Sequence, residues 1–282
     1  MITFTVANRK GGVGKSTSAA MLATEFALKG YRTLLIDADP QANATSFFMP
    51  PENVRVGLDL VLLKRVSPDT KQASITDVAA QTQIPQLKLI PPGIELAYYE
   101  RENYVNIAGL RKALAEVDTG FDYCFIDTPP TLSLLLSTAL VACNYVLIPC
   151  QTEPMSMKGV RDLMGVVVDA RDINPQLQIA GVFITMHNRR TNLARAIEHT
   201  LHNKFNEHTF ETVINRQIKL TECSTQHQPI QLYAPESTGA ADYRALASEL
   251  LAYTNFMRSD QPRETRFAVE SLDEQQLQKA TV

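Results

Sequence analysis

The stretch VANRKGGVGKSTSAA, residues 6–20, contains a glycine-rich loop that closely follows the pattern of phosphate-binding loops. That pattern is G-x-x-x-x-G-K-[ST], and Gly14, Lys15 and Ser16 match its second half. Arg9 stands where the first glycine is expected, and Lys10 adds a second lysine beside it. The stretch follows a β-rich run and precedes a helical pattern, which is the context in which such a loop binds phosphate. The sequence therefore predicts a phosphate site with an additional cation at its edge.

Short β-rich runs alternate with helical patterns along the chain. The β-rich runs are residues 2–7, 32–37, 87–91, 123–127, 145–149, 178–185 and 210–214. Most of them are continuously apolar, as expected for parallel strands that helices cover on both faces. Helical spacing of apolar residues covers 16–29 and 237–257. We predict an α/β fold with a doubly wound, mostly parallel twisted sheet flanked by helices, of the P-loop NTPase type.

Composition limits the classes of protein that this chain can represent. Its 282 residues, 45% of them hydrophobic, suit one domain over residues 1–257, followed by a polar and flexible tail at 258–282. The net charge of −3 excludes a uniformly basic surface, so any contact with nucleic acid needs a local patch. The longest near-apolar run, residues 132–143, is too short to span a bilayer, and no secretory signal pattern occurs. We expect a cytoplasmic protein whose four cysteines, which lack C-x-x-C spacing, are buried thiols.

The residue types in and around the loop indicate how phosphate and metal would be bound. Gly11, Gly12 and Gly14 allow backbone N–H groups to converge on phosphate oxygens. Lys15 would neutralise the β- and γ-phosphates, and the Ser16 hydroxyl would bind Mg²⁺. Three carboxylates follow predicted strands, Asp37 and Asp39 after one and Asp127 after another. In folds of this kind the functional residues lie at the carboxyl ends of the strands. Asp127 is typical of the acidic residue that supports Mg²⁺ there.

Four motifs in order give the chain a family resemblance. They are KGGVGKST at 10–17, DADPQAN at 37–43, DTPP at 127–130 and TMHNRRTNL at 185–193. Together they resemble the ParA/Soj branch of the ParA/MinD ATPases, which have a deviant Walker A loop, over residues 2 to about 253. The resemblance implies a homodimer that encloses ATP between two subunits. It also implies that Lys10 crosses the interface to the phosphates of the partner's nucleotide.

The resemblance implies roles for individual residues. Lys10, Lys15 and Asp39 are the expected catalytic residues, with Asp39 positioning or deprotonating the attacking water. Asp37 and Asp127, with Ser16, would hold Mg²⁺ and its water shell, and Thr17 would contact the α-phosphate. The expected nucleotide-binding set in the loop is Lys10, Gly11, Gly12, Val13, Gly14, Lys15, Ser16 and Thr17. A slow basal hydrolysis of ATP, stimulated by a ParB-like adaptor protein with a basic and flexible N-terminus, follows from the same resemblance.

The segment VINRQIKL at 213–220 departs from the family pattern. Relatives commonly read I-P-R-N here, whereas this chain has Asn215 for the proline and Gln217 for the asparagine. In the family this segment lines the adenine pocket. We therefore expect Asn215 and Gln217 to contact the base.

Residues 187–219 carry six Arg and Lys residues against three Glu, a local net charge of +3. On charge alone this segment is a solvated basic face. The resemblance implies a role in binding double-stranded DNA without sequence preference, through Arg190 and Lys219 with Arg216 nearby. A nucleoid-associated protein that segregates or positions a cargo, such as a plasmid or a chromosome origin, is the expected function.

Two other functions remain open from the sequence. One is a membrane-surface ATPase like MinD, which would end in a basic amphipathic helix. The tail from Arg263 to Val282 instead has a net charge of −1 and no broad apolar stripe, so we expect no membrane partner. The other is a metabolic P-loop enzyme, such as the iron protein of nitrogenase, which would need cysteines that bind a cluster at the dimer face. None of the four cysteines has an obvious placement for that.

Overall fold

A computed structural model describes residues 1–63, 73–101, 106–153, 156–188, 191–205 and 208–258. Its central element is an eight-stranded sheet with the strand order β3-β4-β2-β5-β1-β6-β7-β8. The strands are β1 Ile2–Val6, β2 Thr33–Asp37, β3 Ala80–Gln81, β4 Leu87–Ile90, β5 Tyr123–Asp127, β6 Tyr145–Gln151, β7 Gln178–His187 and β8 Thr209–Asn215. All neighbouring strands run parallel except β3 and β4, which are antiparallel. The predicted fold class is confirmed.

Helices connect the parallel strands and cover both faces of the sheet. Those in the described residues are α1 Lys15–Leu28, α2 Leu58–Leu62, α3 Ile75–Val78, α4 Gly109–Glu116, α5 Leu134–Ala142, α6 Ser156–Arg171, α7 Asn192–Phe205, α8 Lys219–Thr225, α9 Ile230–Tyr233 and α10 Thr238–Arg258. Short 3₁₀ turns occupy Thr45–Phe47, Pro51–Asn53 and Leu96–Arg101.

The strands are continuously apolar because a hydrophobic core lies on each face of the sheet. Leu35 of β2 packs with α1 and α10 on one face of the sheet. Its neighbours Leu34 and Ile36 pack with α4 and α5 on the other face. All three side chains are fully buried, and each such burial contributes roughly 2 kcal/mol. Because successive side chains of a strand point to opposite faces, a strand between two helical layers must be apolar at every position.

The seven predicted strands and the two predicted helices are all present, with ends that differ by at most two residues. Helix α1 is closed by Gly30, which has φ 94°, and the Tyr31 N–H donates to the Phe26 carbonyl at 3.2 Å. Strand β3 is not predictable from the sequence, because its two residues are too few to show a period. The predicted tail lies outside the described residues from 259 onward.

Candidate active site

The glycine-rich loop joins β1 to α1 at the carboxyl edge of the sheet. Gly12 and Gly14 have φ values of 73° and 84°, which side chains disfavour, so glycine is required at both positions. Gly14 precedes the first turn of α1, and no side chain caps that turn. Val13 is fully buried, and its carbonyl accepts a hydrogen bond from Thr185 Oγ1 at 2.9 Å. The loop is therefore fixed from β7 while the N–H groups at the start of α1 remain available for an anion.

Lys15 points into the site and is almost completely buried. Its Nζ donates to the Lys10 carbonyl at 3.3 Å. Burial lowers the pKa of Lys15, while the charges of Asp127 and Asp39 raise it. A poorly hydrated ammonium group at a helix N-terminus favours a negatively charged ligand, as expected for a lysine that binds phosphate.

Two aspartates lie side by side where β2 and β5 end. Asp37 and Asp127 are direct partners in the parallel register, and neither is exposed. Thr45 holds Asp37 through its N–H and Oγ1 at 2.7 and 2.8 Å, yet burial raises the pKa of Asp37 to about 7. Neither carboxyl oxygen of Asp127 has a hydrogen-bond partner among the described residues. Burial, followed by the charge of Asp37, raises the pKa of Asp127 well above its usual range, while Ser16 lowers it.

This donor set fits a hard divalent cation. A pair of buried carboxyls is costly unless a positive charge compensates them, and Mg²⁺ is commonly bound through one or two carboxylates. The two unpartnered oxygens of Asp127 could serve as such ligands, and Ser16 has a hydroxyl nearby. The sequence-based metal set of Ser16, Asp37 and Asp127 is therefore assembled in one place.

A cavity of about 330 Å³ lies over the loop. Its lining includes Gly12, Lys15, Ser16, Thr17 and Asp39. Asp39 is nearly buried, and its Oδ1 accepts from the Gln41 N–H at 3.0 Å. The cavity thus brings a lysine, two hydroxyls and a carboxylate around a space that phosphate groups could occupy.

A second cavity of about 770 Å³ continues from the first, because Thr17, Leu220 and Thr221 line both. Its walls include Asn215 and Gln217, and its size suits a nucleoside. Thr185, Met186 and His187 at the end of β7 also line it, and the sequence analysis assigned them no role in nucleotide binding. Their position at the carboxyl end of a parallel strand could have indicated a role in ligand binding.

Lys10 belongs to the loop but does not line the cavity that Lys15 lines. Its Nζ donates to Gln151 Oε1 at 3.0 Å and forms an ion pair with Glu153. The Gln151 amide in turn donates to the Gly12 carbonyl at 2.8 Å. Gln151 and Glu153 were missed by sequence reasoning, although both follow the apolar run of β6. The outer lysine therefore lies on the side of the loop that faces the end of β6.

The predicted DNA-binding residues are only partly described. Arg216 directly follows β8 and Lys219 begins α8; both are exposed and line one shallow cavity together. Arg216 also borders the nucleoside-sized cavity. Arg190 lies outside the described residues. The structure therefore brings Arg216 and Lys219 together next to the candidate nucleotide site.

Known proteins are similar to this chain in sequence and in fold. A family model described as an AAA domain matches residues 1–179. The chain is 37% identical over 250 residues to the chromosome-partitioning ATPase Soj of Thermus thermophilus, covering 88% of this chain and 94% of that protein.

Two solved structures show the same architecture. Cobyrinic acid a,c-diamide synthase from Mycobacterium smegmatis, with bound ADP and magnesium, has a TM-score of 0.76 at 29% identity and covers 92% of this chain and 97% of that one. A putative plasmid partition protein from Borrelia burgdorferi, bound to AMPPNP, has a TM-score of 0.72 at 25% identity and covers 89% and 98%. By sequence over most of its length, the chain belongs to the ParA/Soj family of P-loop chromosome-partitioning ATPases.

Proposed function

We propose that this protein is an ATPase that forms a homodimer around ATP, binds DNA without sequence preference in that state and moves a cargo together with a ParB-like adaptor. The observation that carries the proposal is that Lys10 does not line the cavity that Lys15 lines. The Lys10 ammonium instead contacts Gln151 and Glu153. A lysine in this position can stabilise charge on a nucleotide brought by a second subunit.

ATP and Mg²⁺ are the proposed ligands of the two connected cavities. Lys15 and the N–H groups from Gly11 to Thr17 would bind the phosphates, with Val13 as the buried anchor of the loop. Ser16, Asp37 and Asp127 would hold Mg²⁺, which when bound supplies positive charge against the β- and γ-phosphates. This assignment is supported by the unpartnered oxygens of Asp127 and the buried ammonium of Lys15.

Asp39 is the proposed residue that orients the attacking water. It lies in the same cavity as Lys15 and Ser16, and the Gln41 N–H holds one of its oxygens at 3.0 Å. Since phosphoryl transfer depends mostly on positioning and charge, one chain that lacks the partner's Lys10 should hydrolyse ATP slowly. The adaptor would then act by stabilising the closed dimer.

The DNA surface is proposed to include Arg216 and Lys219, together with Arg190. Three cations in one subunit bind DNA weakly at physiological salt, whereas a dimer joins two such sets and gains affinity through effective concentration. ATP would therefore load the protein onto the nucleoid, and hydrolysis would release it.

No helix in the described part of the chain is long and apolar enough to span a membrane. The tail carries net negative charge by sequence, which disfavours anionic lipid as a partner. The likeness to a diamide synthase concerns the fold, while the identity to a partitioning ATPase is higher, at 37% against 29%. We therefore favour DNA over a membrane as the surface that this protein binds.

Multi-angle light scattering of the full chain with ATP and Mg²⁺, with ADP and without nucleotide tests the proposal. We expect a dimer only with ATP, and binding of unrelated duplex DNA only in that state. A protein that binds ATP yet stays monomeric at micromolar concentration and ignores DNA would contradict the proposed function.

A further inference from the structure

The end of β8 is tied to α10 by a hydrogen bond that fixes the direction of an amide. Asn215 donates to Asp242 Oδ2 through its backbone N–H at 2.9 Å and through Nδ2 at 3.0 Å. A carboxylate accepts hydrogen bonds and repels an amide oxygen. The Asn215 side chain must therefore turn its NH₂ group to Asp242 and leave Oδ1 at its other end.

A second amide, two residues further on, is fixed in the opposite sense. Gln217 Oε1 accepts a hydrogen bond from the Gly239 N–H, at the start of α10, at 2.9 Å. A backbone N–H can only donate, so the Gln217 oxygen must face it and Nε2 must face away. The site is close-fitting, since a Cβ on residue 239 would lie 3.0 Å from this oxygen.

Both amides belong to residues that line the 770 Å³ cavity. Asn215 Oδ1 and Gln217 Nε2 have no hydrogen-bond partner among the described residues. The chain thus offers one acceptor and one donor from neighbouring side chains, and neither can exchange its role without losing the bond to Asp242 or Gly239. Two other polar groups of the cavity are already engaged, since the Tyr243 hydroxyl bonds Ser18 at 3.0 Å and Thr185 bonds the Val13 carbonyl.

We propose that Asp242 and the Gly239 N–H orient Asn215 and Gln217 so that the pocket selects adenine over purines with a carbonyl in place of the amino group. This inference rests on the proposed function and names how its nucleotide is chosen. Adenine presents an exocyclic amino donor flanked by ring nitrogens that accept, which complements Asn215 Oδ1 and Gln217 Nε2. Hypoxanthine and guanine present a carbonyl oxygen at that position, which would meet the Asn215 oxygen.

The apolar walls cannot make this distinction. Ile214, Ile218 and Leu220 line the cavity and would make only van der Waals contacts with a purine. Adenine and hypoxanthine have nearly the same shape, so such contacts do not distinguish them. A polar site rejects the wrong partner more strongly because its own groups are then left unpaired. Asn215 and Gln217 are therefore the residues that read the base, and Asp242 is a positioning residue that acts through Asn215.

Calorimetric titration of the full chain with Mg²⁺ and three triphosphates tests the inference. The probes are ATP, inosine triphosphate and purine riboside triphosphate, which lacks the exocyclic group. We expect ATP to bind at least ~10-fold more tightly than inosine triphosphate. Inosine triphosphate has no amino group to donate to Asn215 Oδ1, and its carbonyl oxygen would face that oxygen instead. Asn215→Ala should weaken ATP about tenfold and leave purine riboside triphosphate unchanged.

Asp242→Ala should reduce the ratio of ATP to inosine triphosphate affinity several-fold, because the Asn215 amide becomes free to rotate. Asp242→Asn keeps an acceptor and should largely preserve the ratio. Glu249→Ala is the matched control, since Glu249 on the same helix accepts from the Glu211 and Thr212 N–H groups of β8 at 2.7 and 3.0 Å, outside the cavity. It should alter stability and leave the ratio unchanged.

The outcomes separate this inference from the proposed function. If the wild-type chain binds ATP and inosine triphosphate equally tightly, or if Glu249→Ala changes the ratio as much as Asp242→Ala, the base-reading role is wrong and the ATPase assignment stands. If no triphosphate binds, the proposed function itself fails.

Discussion

Lys10 in the loop and Lys15 at the start of α1 place their ammonium groups against different partners. Lys15 Nζ donates to the Lys10 carbonyl at 3.3 Å, whereas Lys10 Nζ donates to Gln151 Oε1 at 3.0 Å. The two lysines are five residues apart in sequence, yet their ammonium groups contact different groups of the protein. Under the proposed function, Lys15 would bind the nucleotide of its own chain, and Lys10 would contact the nucleotide of a second subunit.

Substitution of the two lysines should have different effects. Lys15→Ala should abolish ATP binding, because it removes the buried ammonium from the phosphate cavity. Lys10→Ala should still bind ATP as a monomer and fail to dimerise. Light scattering with ATP, combined with calorimetry, separates the two results. Normal ATP-dependent dimerisation of Lys10→Ala would rule out a role for this lysine across the interface.

Asp39→Ala should retain ATP binding and the dimer while hydrolysis falls by ~10²-fold or more, as is typical when a group that orients or accepts a proton is lost. Phosphate release measured with and without a stimulating adaptor checks this. Because hydrolysis would end the DNA-bound state, the variant should also remain on DNA longer. Near-normal stimulated turnover would assign the role of Asp39 to another residue.

The packing of α6 against the loop predicts a sensitive glycine. A Cβ on residue 159 would lie 2.6 Å from Asn8 Oδ1, which accepts from the Lys10 N–H at 3.0 Å. Gly159→Ala should displace the loop, destabilise the fold by about 1–3 kcal/mol and weaken ATP binding.

Gly165→Ala on the same helix is the control. A Cβ there would meet no atom within 4 Å, so the substitution should stabilise the helix by up to ~1 kcal/mol and leave ATP affinity unchanged. Urea unfolding and calorimetry measure both effects. Equal ATP affinity of the two variants would show that α6 does not constrain the loop.

The proposed DNA surface predicts a salt dependence. If each subunit makes about three phosphate contacts, a dimer neutralises about six, and the log–log slope of affinity against salt is roughly −5. Arg190→Ala should weaken all duplex sequences alike and flatten the slope by roughly two, since both subunits lose one contact. Lys219→Ala should behave in the same way.

Sedimentation with anionic liposomes complements the DNA titration. We expect no recruitment of the ATP form. ATP-dependent binding to liposomes without binding to DNA would contradict the proposal and indicate that the protein acts on a membrane.

Glu25 in α1 predicts a pH-dependent stability that is independent of the active site. Burial raises the pKa of Glu25 against the opposing effects of Gln231, Arg244 and Lys29. A carboxyl with a raised pKa in the folded state ionises more readily in the unfolded chain, so the free energy of unfolding falls as pH rises above about 4. Glu25→Gln should remove this decline.

Urea unfolding at pH 5 and pH 8 measures the effect. The stability gained by Glu25→Gln should be larger at pH 8 than at pH 5, and should exceed the ~0.5 kcal/mol typical of surface substitutions. An unchanged pH profile would show that the Glu25 carboxyl is well solvated.

The sequence by itself determined the local elements. Continuous apolar runs predicted the seven long strands, since a strand between two helical layers has no exposed face. The spacing of Gly14, Lys15 and Ser16 predicted the phosphate loop, because its backbone needs small residues and its ligand needs a cation. The carboxylates at the ends of β2 and β5 were also found, from their position in the chain.

Only the tertiary structure decided which of these residues meet. Asp37 and Asp127 become neighbours because β2 and β5 are adjacent, and strand order is not written in local periodicity. Lys10 contacts Gln151 across 141 positions of sequence, and Asn215 contacts Asp242 across 27. Such contacts depend on how the connections return each strand end to the same edge of the sheet, so the direction of an amide or an ammonium group follows from the assembled fold.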